Sequence, residues 1–218
     1  MSQVSGKRQV SGLLLLDKPA GYSSNRALQI VKRLFRAEKA GHTGTLDPFA
    51  TGLLPICLGE ATKFSSYGLE GDKRYLARLR LGITTATGDI EGEILTRQDV
   101  TILQSDIDRV LSRFRGIISQ IPPAYSALKV AGKPMYQYAR KGIAVERKAR
   151  KVEIKRLACV GFGGDELVID VSCSKGTYIR TLAEDIGAAL GCGAHLIALR
   201  RTASSALTVE RADRKSVV

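Results

Sequence analysis

A mixed α and β fold with a basic surface is the class this chain predicts, on three observations. Apolar residues recur at helical spacing in some stretches and alternate at strand spacing in others. Of 218 residues 44% are apolar, which suits one large domain or two small ones with a sizeable core. Thirty-four Lys and Arg stand against 21 Asp and Glu, a net charge of +13 that fits a polyanionic partner: RNA, DNA or an anionic membrane. The membrane is the weakest of these. No uninterrupted apolar run, Leu13 to Leu16 included, exceeds four residues, far short of the ~20 residues of a spanning helix or the ~7 to 15 of a signal-peptide core, so the cytoplasm is the expected compartment.

Taken in order, residues 1–10, with Lys7 and Arg8, read as a flexible basic arm. Ser11 to Asp17 is predicted as a buried strand, with Lys18-Pro19-Ala20-Gly21 as the turn after it. Ser23 or Ser24 then caps a helix whose apolar face is Ala27, Ile30, Val31, Leu34 and Phe35. Its other face, with Arg26, Lys32, Arg33 and Arg36, serves either solvent or RNA. Phe49 to Leu58 is apolar but interrupted by Gly52 and Pro55, so at most one helical turn precedes a short strand. Tyr75 to Leu81 alternates, with Tyr75, Ala77, Leu79 and Leu81 on one face and Arg78 and Arg80 on the other, the pattern of a half-buried strand. Ser105 with Asp108 opens a capping-box-like helix carrying Ile107, Val110, Leu111 and Phe114.

After Pro122-Pro123 the globular pattern breaks. Lys129, Lys133, Arg140, Lys141, Arg147, Lys148, Arg150 and Lys151 mingle with Tyr125, Tyr136 and Tyr138, which suits either a nucleic-acid backbone with rings free to stack or a solvated loop. Residues 124–151 are accordingly an insertion, expected to be mobile until RNA binds. Strands are predicted over Val152 to Val160 and Leu167 to Cys173, a helix over Tyr178 to Leu190 ended by Gly191, and a last strand over His195 to Arg201. Cys57, Cys159, Cys173 and Cys192 form no C-x-x-C step and read as reduced, mostly buried thiols. With only His42 and His195 besides, no metal site is expected.

The chain is organised around Gly41-His42-Thr43-Gly44-Thr45-Leu46-Asp47-Pro48-Phe49-Ala50-Thr51-Gly52-Leu53-Leu54, a glycine- and hydroxyl-rich stretch with one carboxylate at its centre. Two readings of Asp47 are open. It is an N-cap with Pro48 at the first helical position, or Pro48 pushes it into extended geometry and a tight loop presents it to a cleft.

That stretch resembles the catalytic motif of the TruB family of pseudouridine synthases. Lys18-Pro19-Ala20-Gly21, Gly59-Glu60-Ala61-Thr62-Lys63, Asp72-Lys73-Arg74-Tyr75 and Cys173-Ser174-Lys175-Gly176-Thr177-Tyr178-Ile179-Arg180 resemble it as well, so the likeness runs from about Ser11 to Thr208. It implies the pseudouridine synthase fold: α+β, a long mixed and mostly antiparallel sheet flanked by helices. It also implies the reaction, isomerisation of the T-loop uridine of tRNA, nucleotide 55, by flipping the base and exchanging its N1 for its C5 on the sugar, with neither metal nor cofactor.

By that resemblance Asp47 is the catalytic carboxylate, as nucleophile or as base at C2′, and Arg180 is the cation that pairs with it. Tyr75 lies against the target base, Leu199 floors the uracil pocket, and His42 enters the RNA loop near the extruded base. Lys18, Lys63 and Tyr178 join the substrate-binding set, as do Lys129 and Lys133 from the insertion. Plainer readings stay open beside these: Arg180 as a helix-surface partner of Glu184, Tyr75 and Leu199 as core residues, His42 as a local hydrogen-bond donor. The expected catalytic domain is 11–210, followed by a basic tail, 211–218, with the family's usual C-terminal RNA-binding region of the PUA type absent. A monomer binding the T arm of tRNA is the expected species. Its rivals are a non-catalytic tRNA-binding or folding module and a synthase acting on another RNA or within a complex.

Overall fold

The computed structural model describes residues 6–213. In chain order the elements are β1 (Gly12–Lys18), α1 (Ser24–Leu34), β2 (Ala40–His42), β3 (Thr51–Leu58), α2 (Ser65–Glu70), β4 (Lys73–Leu81), β5 (Ile83–Thr85), β6 (Ile94–Arg97), α3 (Gln104–Arg113), β7 (Gly116–Gln120), β8 (Lys129–Val130), β9 (Lys133–Pro134), α4 (Met135–Ala139), β10 (Arg150–Gly163), β11 (Glu166–Cys173), α5 (Ile179–Leu190), β12 (Ala194–Ser204) and β13 (Leu207–Thr208). A 3₁₀ turn, Gly59–Phe64, joins β3 to α2. The chain forms two compact units, one from the residues up to Tyr75 with those from Leu199 onward, the other Leu76–Ala198.

In the first unit β3 is the central strand. β1 runs antiparallel along one side, pairing Leu16 with Leu54 and Leu14 with Ile56. On the other side β12 pairs in parallel with the start of β3, Arg200 with Thr51 and Arg201 with Gly52, and β2 pairs antiparallel with its end, His42 with Ile56. All of β3 except Thr51 is buried, so its near-continuous apolar run is that of a strand covered on both faces. A full strand thus replaces the expected helical turn. Pro55 is tolerated because its missing N–H faces the side where β2 has just ended and only Thr43 N–H reaches across, to the Pro55 carbonyl at 3.1 Å. Gly52 is required outright. Its φ is +100°, and a Cβ there would stand 2.3 Å from the Arg201 carbonyl oxygen.

Helix α1 starts as expected, Ser23 Oγ accepting from Arg26 N–H at 3.1 Å. Its buried face is Ser24, Ala27, Leu28 and Val31, rotated from the expected one, and Leu34 is 58% exposed. The arm is not free at Arg8, whose N–H and C=O bond to Arg36 and Glu38; residues 1–5 and 214–218 lie outside the described part.

The second unit has the strand order β4-β11-β10-β7, with β10 antiparallel to both neighbours and bulged twice against β11. The parallel β3–β12 pairing among antiparallel ones makes the sheet mixed and mostly antiparallel, as the α+β expectation has it. Helix α3 packs on β10 and α5 through Ile107, Val110 and Leu111. Its cap is earlier than expected: Asp106, not Asp108, accepts from the N–H of Leu103 at 3.1 Å, while Asp108 accepts from Gln104 Nε2. The insertion carries short elements of its own. β8 and β9 form a hairpin across Ala131-Gly132, both at positive φ, and α4 follows with Met135 buried. Arg150 and Lys151 belong to β10. Helix α5 ends on left-handed Gly191. Cys57, Cys173 and Cys192 are buried and Cys159 half-buried. Among the described residues no helix is long and apolar enough to cross a membrane, and no three His, Cys, Asp or Glu gather to hold a metal.

Candidate active site

In the first unit the loop from Thr43 to Ala50 connects β2 to β3, and three side chains fix it from outside its own sequence. Ser24 Oγ, at the start of α1, accepts from Leu46 N–H at 2.8 Å and donates to Leu46 C=O at 3.0 Å, using both backbone groups of the residue before Asp47. Lys18, 0% exposed, donates to the carbonyls of Pro48 at 3.3 Å, Tyr22 at 2.7 Å and Pro19 at 2.9 Å. The Pro48 carbonyl also accepts from Gly21 N–H at 2.9 Å. Arg201, buried, donates to the carbonyls of Leu53 at 2.7 Å, Gly44 at 3.1 Å and Thr45 at 3.5 Å. Both neighbours of Asp47 are therefore anchored, and the half-buried Asp47 stands between them.

The helix-cap reading of Asp47 fails on this geometry. Its carbonyl accepts from Ala50 N–H at 3.1 Å to close a turn, and the chain enters a strand at Thr51. Lys18, expected in the substrate-binding set, has its ammonium buried among backbone carbonyls, where it braces the loop.

His42 sits at the end of β2, half-buried, with Nδ1 accepting from Gly44 N–H at 3.4 Å. Burial first, then the charge of Arg201, hold its pKa below the ordinary histidine value, so the ring is neutral at physiological pH. Tyr75 lies on the buried face of β4 with Lys73 and Ala77, and Leu199 is buried in β12. Lys63 projects from the 3₁₀ turn and pairs with Glu60, whose carboxyl it pulls down by hydrogen bond and charge. Of the predicted residues, this unit brings Lys18, His42 and Asp47 to one loop.

In the second unit Arg180 opens α5 and is 5% exposed, which rules out a helix-surface role. Nη1 donates to Thr87 C=O at 3.1 Å and lies 3.5 Å from Asp89 Oδ2, while Nη2 donates to Tyr125 C=O at 2.7 Å. Asp89, also buried, is held by Thr87 Oγ1 at 2.6 Å and Glu91 N–H at 3.0 Å. Tyr178 is the N-cap residue of α5, its N–H and C=O both bound by the Gln120 amide at 3.1 and 3.3 Å. Lys129 and Lys133 are exposed on the two strands of the insertion hairpin. Sequence reasoning does not find Asp89, Gln120 or Arg201. For Asp89 a signal exists, the turn-forming run Thr87-Gly88-Asp89; the inward turn of Arg201 has none.

Residues 32–179 match the N-terminal domain of the TruB family pseudouridylate synthases, and residues 180–215 the tRNA pseudouridylate synthase B C-terminal domain. The tRNA pseudouridine synthase B of Chromobacterium violaceum is 57% identical over 210 residues, 96% of this chain and 69% of that protein. That of Pseudomonas aeruginosa is 56% identical over 221 residues, 98% of this chain and 73% of that protein. Among solved structures, a Cbf5-Nop10-Gar1 complex aligns with TM-score 0.71 at 32% identity, over 90% of this chain and 49% of that one. An archaeal box H/ACA sRNP Nop10-Cbf5 complex gives 0.67 at 30%, over 93% of this chain and 50% of that one. The chain spans about half the length of those two.

Proposed function

The chain belongs to the TruB family of pseudouridylate synthases, and from that premise we propose that it isomerises the T-loop uridine of tRNA, nucleotide 55, to pseudouridine. The bond between uracil N1 and ribose C1′ breaks, the ring turns, and C5 bonds to C1′. The C5 proton leaves and N1 gains one, so nothing is oxidised and no atom is lost. The target must be flipped out of the RNA stack to be reached.

Asp47 is the carboxylate that acts on the sugar, at C1′ as nucleophile or at C2′ as base. Either route needs it ionised and aimed, and the observation that carries the reading is the anchoring of Leu46 and Pro48 on either side of it. Arg180 takes the cation's role that the family resemblance implies, its guanidinium preorganised within its own unit by Thr87, Asp89 and Tyr125. Tyr75 lies against the base and Leu199 floors its pocket. A neutral His42 suits insertion where the uridine stood, because a flat uncharged ring stacks like a base. Lys63, Tyr178, Lys129 and Lys133 contact the RNA, and the protein acts as a cytoplasmic monomer on the T arm without a metal.

Purified protein incubated with an unmodified tRNA transcript and a divalent-metal chelator should form pseudouridine at position 55. A T-arm hairpin should compete as well as whole tRNA. Tight binding with no product would leave a non-catalytic RNA-binding module instead.

A further inference from the structure

The 3₁₀ turn Gly59–Phe64 runs directly into α2, and this short segment holds two aromatic rings in solvent. Phe64 is 66% exposed and Tyr67 75%, with ring centroids 6.2 Å apart and planes inclined by 35°. Leu69 is exposed beside them. Aromatic rings are the side chains a fold gains most by burying, so two left out together mark a surface that another molecule covers.

Their mount is rigid and belongs to the Asp47 loop. Gly68 lies so close to Thr43 that a Cβ would stand 2.6 Å from the Thr43 Cβ, leaving no room for α2 to shift inward. Lys73 Nζ gathers the carbonyls of Gly68 at 3.3 Å, Leu69 at 2.6 Å and also Gly71, tying down the end of the helix. Lys63 is exposed beside Phe64, and Lys39 is close enough for its charge to act on Glu60. The acids of the stretch are Glu60, already paired with Lys63, and Glu70 at its far end.

We infer that Phe64 and Tyr67 form a stacking platform for unpaired bases of the RNA that delivers its uridine to the Asp47 loop. The inference rests on the proposed function, since flipping one nucleotide leaves its neighbours without a stacking partner. Exposed rings beside Lys63 suit that occupant: bases stack on the rings while Lys63, paired with Glu60 in the free protein, can exchange that carboxylate for a phosphate, on a chain whose net charge is +13. A protein partner of apolar character would gain nothing from that cation.

The chain contains no Trp, so Phe64→Trp creates a sole reporter at the platform. A T-arm hairpin should quench its emission saturably, and the same stem closed without an unpaired loop should not. Loss of about 1–3 kcal/mol of stacking per base is roughly a 5- to 150-fold weakening, so the double variant Phe64→Ala, Tyr67→Ala should raise KM at least fivefold. The thermal midpoint should stay put because both rings are exposed. Unquenched emission, equal quenching by the stem, quenching that grows with protein concentration in the absence of RNA, or an unchanged KM would overturn the platform. Quenching by RNA alongside a wild-type protein that makes no pseudouridine would instead sink the proposed reaction and leave the platform standing.

Discussion

Arg200 and Arg201 are neighbours in sequence and opposites in environment. Arg200 forks onto Asp17 at 2.9 and 2.8 Å with its side chain partly exposed, while Arg201 turns inward and is the loop's anchor. Two adjacent basic residues at a strand end read only as charge, so nothing in the sequence pattern separated them; what was legible was the loop itself, from its glycines and its Asp-Pro step. Arg201→Met should leave the carbonyls of Leu53, Gly44 and Thr45 without their donor. Leu53 is buried, Gly44 half-buried and Thr45 exposed, so at about 1–3 kcal/mol for the one fully buried acceptor stranded, urea unfolding should report a loss of roughly 1–3 kcal/mol. A loss below about 0.5 kcal/mol, the size of an ordinary surface substitution, would contradict the anchoring. The same variant tests His42. Its pKa in the folded protein lies below the ordinary 6.5, so the unfolded chain binds the proton more readily. Stability from the neutral ring is therefore complete above about pH 6.5 and is lost as pH falls through the folded pKa. Burial, the larger cause, survives in Arg201→Met and the charge does not. With only two histidines in the chain, an NMR titration should show the His42 pKa rising part of the way back.

At the scale of elements, periodicity found those long enough to show it. Strands β4, β10, β11 and β12 and helix α5 were legible because each repeats its apolar spacing several times. β3 was misread because Pro55 and Gly52 are strand breakers locally, and only the pairing partners explain why neither breaks it: β2 ends before Pro55, and Arg201 crowds Gly52. The elements inside the insertion were not legible for the opposite reason: a two-residue hairpin and a five-residue helix are too short to display a period. Gly52→Ala tests the β3 account. The strained φ and the 2.3 Å approach to the Arg201 carbonyl are relieved only by parting β3 from β12, so chemical denaturation should show a loss of about 3 kcal/mol or more. Gly161→Ala is the control, since a Cβ there meets Val168 at an ordinary 3.7 Å and stability should move by less than about 1 kcal/mol. Equal effects would refute the steric explanation.

For the whole molecule, charge and fold class were legible and strand order was not. The parallel pairing of Thr51 with Arg200 joins residues from opposite ends of the chain, and no local pattern encodes which distant strand closes on which. Net charge likewise points to a polyanion and stops there; family resemblance turned that into tRNA and a reaction, and the loop geometry then removed the helix-cap reading of its carboxylate. Binding and chemistry ought accordingly to separate. On the proposed function, RNA affinity is spread over a basic surface, whereas isomerisation depends on one ionised group. Asp47→Asn is the measurement that divides them most directly, because Asn keeps the size and the backbone turn but carries no charge. The expected result is an unchanged thermal midpoint, tRNA affinity within about threefold of the parent, equivalent to under 1 kcal/mol, and no pseudouridine from an unmodified transcript even at enzyme excess. Pseudouridine formed by Asp47→Asn at a rate near the parent's would contradict it.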